Sequence, residues 1–117
     1  MEQLDALILE YEHQKTILEG ISAGVNFKIV STSTEFQIYL RNNGRARLYF
    51  LDNYVPRRDG EEIRAELEFN YKALKRFVPD AQIFYIGSDP EKKIIDFCSN
   101  NNIQIINKYE VGKRIKK

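Results

Sequence analysis

The 117-residue chain holds one Cys, one His, one Met, three Pro and no Trp. With Cys98 alone there is no intrachain disulfide and no Cys-rich zinc site, and the lone His13 adds little to any metal-ligand argument. Eighteen Lys and Arg oppose 17 Asp and Glu, for a net charge of +1. This excludes a uniformly basic nucleic-acid coat and a strongly acidic mimic, and leaves only local patches of either sign. No apolar run nears the roughly 20 residues of a membrane span, so no membrane partner is expected. The N-terminus has no signal-peptide core, which with the scarce Cys makes a cytoplasmic location the expectation. Repeats, low-complexity tracts and linkers are also missing. What is present is a globular composition, 43% hydrophobic and 30% charged, of a length that suits one domain over 1–117.

Periodicity gives the elements. Leu4, Leu7, Ile8, Tyr11, Leu18 and Ile21 recur at three- and four-residue spacing, predicting a helix from about Glu2 to Glu19. Alternation predicts strands over Val25–Val30 (Val25, Phe27 and Ile29 on one face), Phe36–Arg41 and Arg45 to about Asp52. A second helix is expected after Pro56, capped by Asp59 with Glu62, carrying Ile63, Leu67, Tyr71, Leu74 and Phe77 or Val78, and stopped by Pro79. Gln82–Ile86 reads as a strand buried on both faces. Asp89 and Pro90 then start a helix whose apolar side is Ile94, Ile95, Phe97 and Cys98, and Ile103–Ile106 is the last strand. The segment 108–117 reads as a basic, solvated tail. The class is α/β: a mixed sheet of about five strands flanked by helices, in the order α-β-β-β-α-β-α-β. The first three strands should be antiparallel and the last two a parallel crossover.

The Asn42-Asn43-Gly44 turn has two registers. A two-residue loop pairs Leu40 with Arg47, which puts Arg on the core face. A three-residue loop with Gly44 left-handed in a bulge pairs Leu40 with Ala46, Ile38 with Leu48 and Phe36 with Phe50, which makes one face wholly apolar. The second is the expected register. Its other face displays Gln37, Tyr39, Arg41, Arg45, Arg47 and Tyr49, with Lys28 on the adjoining strand and Arg57 and Arg58 in the next loop. Cations interleaved with aromatics suit phosphates and unpaired bases. The plainer reading is a water-facing strand surface, or one where a helix covers Tyr39 and Tyr49 and the Arg stems snorkel.

The run Ala81-Gln82-Ile83-Phe84-Tyr85-Ile86-Gly87-Ser88-Asp89, a helix, and Asn102-Ile103-Gln104-Ile105-Ile106 resemble the closing strand–helix–strand of Mrr-like nucleases. The element order resembles the core of the PD-(D/E)XK, or restriction endonuclease-like, superfamily. That resemblance implies two carboxylates holding Mg²⁺ and a Lys beside the attacking water. The sequence departs from it: Phe36–Arg41 has no acid, and Asp52 is followed by Tyr54 where Lys is expected. A displaced site would use Glu35, Asp52 and Glu62; otherwise Glu62 caps a helix and the others are solvated.

Other candidates are weaker. Gly87-Ser88-Asp89 sits where a parallel strand ends and a helix begins, a place that attracts anions, although Asp89 is itself negative and suits a cap. His13 reads as a surface residue and Cys98 as an inert core thiol. The acids early and bases late in the second helix complement its dipole. The expectation is a non-catalytic module, without a cofactor, that binds DNA or RNA or regulates a nucleic-acid-processing protein, as an accessory protein of a phage or other mobile element would. Two alternatives stand beside it. One is a Mg²⁺-dependent nuclease with a rearranged site. The other is a protein-interaction or inhibitor domain using the first helix or a sheet edge, with a homodimer as one form of partner.

Overall fold

The structure, a computed structural model, describes residues 3–43 and 45–116. Strand β1 (Leu4–Leu9) is an almost unbroken apolar run, as a strand buried on both faces requires. It hydrogen-bonds in parallel on both sides: Ala6 stands opposite Phe27 of β2 (Phe27–Val30) and opposite Leu48 of β3 (Ala46–Leu51). The sheet continues in parallel through β6 (Ile83–Ile86) to β7 (Gln104–Ile106), giving the order β2-β1-β3-β6-β7. A short antiparallel ribbon, β4 (Tyr54–Pro56) and β5 (Ile63–Ala65), is inserted after β3.

Helices cover both faces. On one side lie α1 (Gln14–Gly20) and α5 (Val111–Ile115), with Ile17, Val111 and Ile115 packed on Ala6, Ile8, Leu48, Phe50 and Phe84. On the other lie α2 (Ser33–Asn43), α3 (Leu67–Phe77) and α4 (Lys92–Asn100), whose Phe36, Leu40, Leu67, Leu74, Ile94 and Cys98 join Leu7, Leu9, Tyr49 and Leu51 in the larger core. Helices α1 and α5 meet at Gly112, where a Cβ would stand 2.0 Å from the Gly20 carbonyl oxygen. Only glycine fits there.

The α/β class and a five-stranded sheet flanked by helices are as the sequence predicts, and Gln82–Ile86 and Ile103–Ile106 are near their predicted places. The first half differs. The residues expected in one long N-terminal helix form β1 and then α1, and Phe36–Arg41 lies inside α2. The predicted hairpin and its register are therefore not formed, and β1, β2 and β3 pair in parallel; parallel and antiparallel pairing occur in separate sheets. The bulge proposed at Gly44 lies outside the described residues, as do the ends of the predicted first helix and of the tail at Glu2 and Lys117. The second helix starts at Leu67, because Ile63–Ala65 pairs with Tyr54–Pro56, and the Asp59–Glu62 cap is replaced by a ribbon turn with Gly60 at φ 82°. Helix α4 begins two residues beyond Pro90. Residues 108–115 form a 3-10 turn (Lys108–Glu110) and α5, with Val111, Gly112 and Ile115 buried, in place of a solvated tail. The α-β-β-β-α-β-α-β order that carries the nuclease resemblance is thus not the order of this chain.

Candidate active site at the carboxyl ends of the strands

In a doubly wound sheet of this order the chain winds one way from β1 to β2, crosses back to β3, and then winds the other way. The crevice beyond the carboxyl ends of β1 and β3 is where such folds bind ligands. Each of those strands delivers an acid there. Glu10 follows β1 and is fixed by its own backbone: its N–H donates to Val30 O at 3.0 Å, and its carbonyl accepts from Gln14 Nε2 at 2.6 Å. Its side chain is buried, and Oε1 accepts from the His13 backbone N–H at 3.1 Å, with His13 Nδ1 also 3.1 Å away. Oε2 is buried with no hydrogen-bond partner among the described residues. Asp52 follows β3; its N–H donates to Leu9 O at 3.0 Å and its Oδ1 accepts from Asn53 N–H at 2.6 Å.

The two carboxyls meet within hydrogen-bond reach. Two ionised carboxylates in contact repel, so a proton or a cation must lie between them. Burial first, then the hydrogen bond and charge of Glu10, push the Asp52 carboxyl up to about 8, against the pull of the Asn53 and Tyr54 backbone N–H groups. Near neutral pH the pair therefore holds a proton that a cation could displace.

These acids open on a cavity of about 250 Å³ whose walls include Glu12, Tyr54, Tyr85, Gly87, Ser88, Ile94 and Lys108. Lys108 is set by the residue before it. Asn107 accepts from the backbone N–H groups of Tyr109 and Glu110 while Glu110 reaches back to Asn107, a capping box that fixes the turn after β7. Lys108 is half-buried and makes no ion pair among the described residues. Tyr54 Oη donates to Glu91 Oε1 at 2.6 Å and so ties β4 to the start of α4 across two walls of the cavity.

The loop behind Asp52 is braced. Asn53 accepts the N–H groups of Glu66 (2.8 Å, through its carbonyl) and Leu67 (3.1 Å, through Oδ1). Glu66 is buried and accepts both the Nε and NH2 groups of Arg57 at 2.9 Å and the Ser33 hydroxyl at 3.1 Å. Burial alone would raise the Glu66 carboxyl, but Arg57 and Ser33 outweigh it and hold it below its ordinary value. Asn70 donates to Ser33 at 2.8 Å and accepts from Gln37 at 3.1 Å, so α2, α3 and the ribbon form one polar network.

No protein-family model and no curated protein matches the chain. The site therefore has to be read from its own chemistry. It keeps Asp52 from the sequence-predicted set and adds Glu10 and Lys108. The other two acids of the predicted metal site are elsewhere: Glu35 lies in the first turn of α2 and accepts from Ser31 (2.9 Å) and Thr32 (3.3 Å), while Glu62 is exposed beside the ribbon. The Gly87-Ser88-Asp89 anion candidate does lie on the cavity wall.

The predicted cationic face is dispersed, because its residues sit on a helix, two strands and a loop. Tyr49 is wholly buried, its hydroxyl accepting from Ala46 N–H at 2.8 Å. Tyr39 is half-buried on α2, with the Lys28 ammonium of β2 5.8 Å from its ring centroid, and Arg41 is exposed on the same helix. Arg45 and Arg47 stand at the opposite end of the sheet from Asp52, paired with Asp80 and with Asp5 and Ile115 O. Arg57 serves Glu66, and Arg58 pairs with Glu61 at 3.6 Å. They form no shared stacking surface.

Glu10 and Lys108 leave a sequence signal: a charged residue follows each of the apolar runs Leu4–Leu9, Leu48–Leu51 and Ile103–Ile106 within two positions. On a helix from Glu2 to Glu19, Glu10 would be one more solvated charge.

Proposed function

We propose that this chain is a regulatory domain that accepts a phosphoryl group on Asp52. The observation that supports the reading is the Glu10–Asp52 carboxyl pair, Glu10 buried and Asp52 half-buried, at the point where the winding reverses, on a cavity that Lys108 also lines. Once ionised, Asp52 carries a carboxylate oxygen able to attack phosphorus. One P–O bond forms to that oxygen as the bond to the donor's leaving group breaks, and the leaving group keeps the electron pair. Lys108 offers the charge that a phosphoryl oxygen needs as it develops. At about 250 Å³ the cavity has room for a phosphoryl group and part of its donor. The product remains on the protein as a change of charge and shape at one loop.

Two carboxylates together with phosphate oxygens are the donor set that a small, hard cation such as Mg²⁺ takes. Glu10 Oε2, buried and without a hydrogen-bond partner among the described residues, fits that cation, and no group of three or more His, Cys, Asp or Glu suited to an all-protein cage occurs among the described residues. Bound there, Mg²⁺ would neutralise the pair and the charge of the transferring group.

The test is incubation with a small acyl phosphate and Mg²⁺, read by intact mass. A gain of one phosphoryl group, labile to hydroxylamine and missing in Asp52→Asn, supports the reading. Failure of the unaltered chain to gain it, or an undiminished gain in Asp52→Asn, overturns it.

A further inference from the structure

A Cβ at Gly87 would stand 2.7 Å from the Tyr85 hydroxyl and 2.8 and 2.9 Å from its ring carbons Cε2 and Cζ. The phenol of Tyr85 thus fills the space that a side chain at position 87 would take. Both residues line the Asp52 cavity. Tyr85 is only 3% exposed and its ring belongs to the core with Tyr49 and Cys98, so the hydroxyl is held rigidly. Burial and the nearby Asp52 charge raise the phenol above its ordinary value, and no hydrogen bond contributes. A hydroxyl with no hydrogen-bond partner among the described residues, on a cavity it shares with a carboxyl pair, is a donor waiting for an acceptor.

Resting on the phosphoryl-acceptor reading above, we propose that the Tyr85 hydroxyl is a positioning residue that donates a hydrogen bond to an oxygen of the phosphoryl group in front of Asp52, in the place that Gly87 leaves free. A side chain at 87 is excluded because it would push the phenol aside.

Tyr85→Phe removes the hydroxyl and leaves the ring. Its thermal midpoint should match that of the unaltered chain, while the second-order rate of Asp52 phosphorylation by acetyl phosphate falls by roughly tenfold or more, as for a hydrogen bond to a charged group. The pH profile of that rate should keep its midpoint, since the donor is neutral. Tyr85→Val combined with Gly87→Ser moves a hydroxyl onto residue 87 and should recover most of the rate. An unchanged rate in Tyr85→Phe, or a folded double variant no faster than Tyr85→Phe, overturns the proposal. If the unaltered chain takes up no phosphoryl group at all, the failure belongs to the parent reading.

Discussion

The two ends of the parallel sheet handle charge in opposite ways. Where β3 and β6 begin, opposite charges meet one to one and in water: Arg45 with Asp80, both well exposed, and Arg47 with Asp5 at 3.9 Å and the Ile115 carbonyl at 2.6 Å. Where β1 and β3 finish, the buried Glu10 meets the half-buried Asp52, and Lys108 stands on the same cavity without an ion pair among the described residues. Exposed, balanced pairs contribute little and suit solubility. A like-charge pair with one member buried costs stability, and such pairs gather at functional sites. Burial and sign arrangement separate a site from a surface.

The largest contrast should come from removing one cation at each end. Lys108→Ala is expected to slow Asp52 phosphorylation by about a hundredfold, as loss of a preorganised charge at a reacting group does, with the chain still folded by circular dichroism. A rate within twofold of the unaltered chain would place Lys108 outside the chemistry.

Next is the cost of the acid pair itself. The Asp52 carboxyl binds its proton more tightly in the folded chain than the ordinary value of 3.8 allows. Between about pH 4 and 8 the folded state therefore holds more protons than the unfolded one, and stability falls as pH rises, levelling above the folded value. Asp52→Asn should remove this slope and be more stable than the unaltered chain near pH 8, by roughly 2–4 kcal/mol in urea titrations, with little difference near pH 4. Parallel pH curves for the two proteins would mean that the carboxyls do not share a proton.

Gly112→Ala tests the packing that carries the Lys108 turn. The added methyl meets the Gly20 carbonyl, and overpacking of this kind costs about 1–3 kcal/mol. Measured by thermal unfolding, the loss should exceed that of Ala substitution at exposed Gly20, whose Cβ would meet nothing within 4 Å. The smallest effect is expected at the opposite end of the sheet. Arg45→Ala removes an exposed pair and should change stability by no more than about 0.5 kcal/mol, with the phosphorylation rate untouched.

The same contrast explains what the sequence made legible. The strands Ile83–Ile86 and Gln104–Ile106 and the helix end before Pro79 lie near their predicted places because they rest on local signals that tertiary packing leaves alone. The first half was ambiguous for a geometric reason. Phe36, Ile38 and Leu40 alternate as in a strand, yet Phe36 and Leu40 also stand four apart on one helix face; in α2 those two are buried and Ile38 is 44% exposed. Leu4, Leu7 and Ile8 fit a helical stripe, but β1 is buried on both faces, and such a strand has no period to read. Asp52 was visible as an acid closing an apolar strand. Its partner Glu10 was hidden by that one misread element, and Lys108 by a short buried helix that resembles a basic tail.

The most direct measurement is a titration of the Asp52 side-chain carboxyl by carbon-detected NMR, with and without Mg²⁺. The account predicts a midpoint near 8 without the metal and a clear fall when Mg²⁺ is added. A midpoint near the ordinary 3.8, unmoved by Mg²⁺, would contradict it.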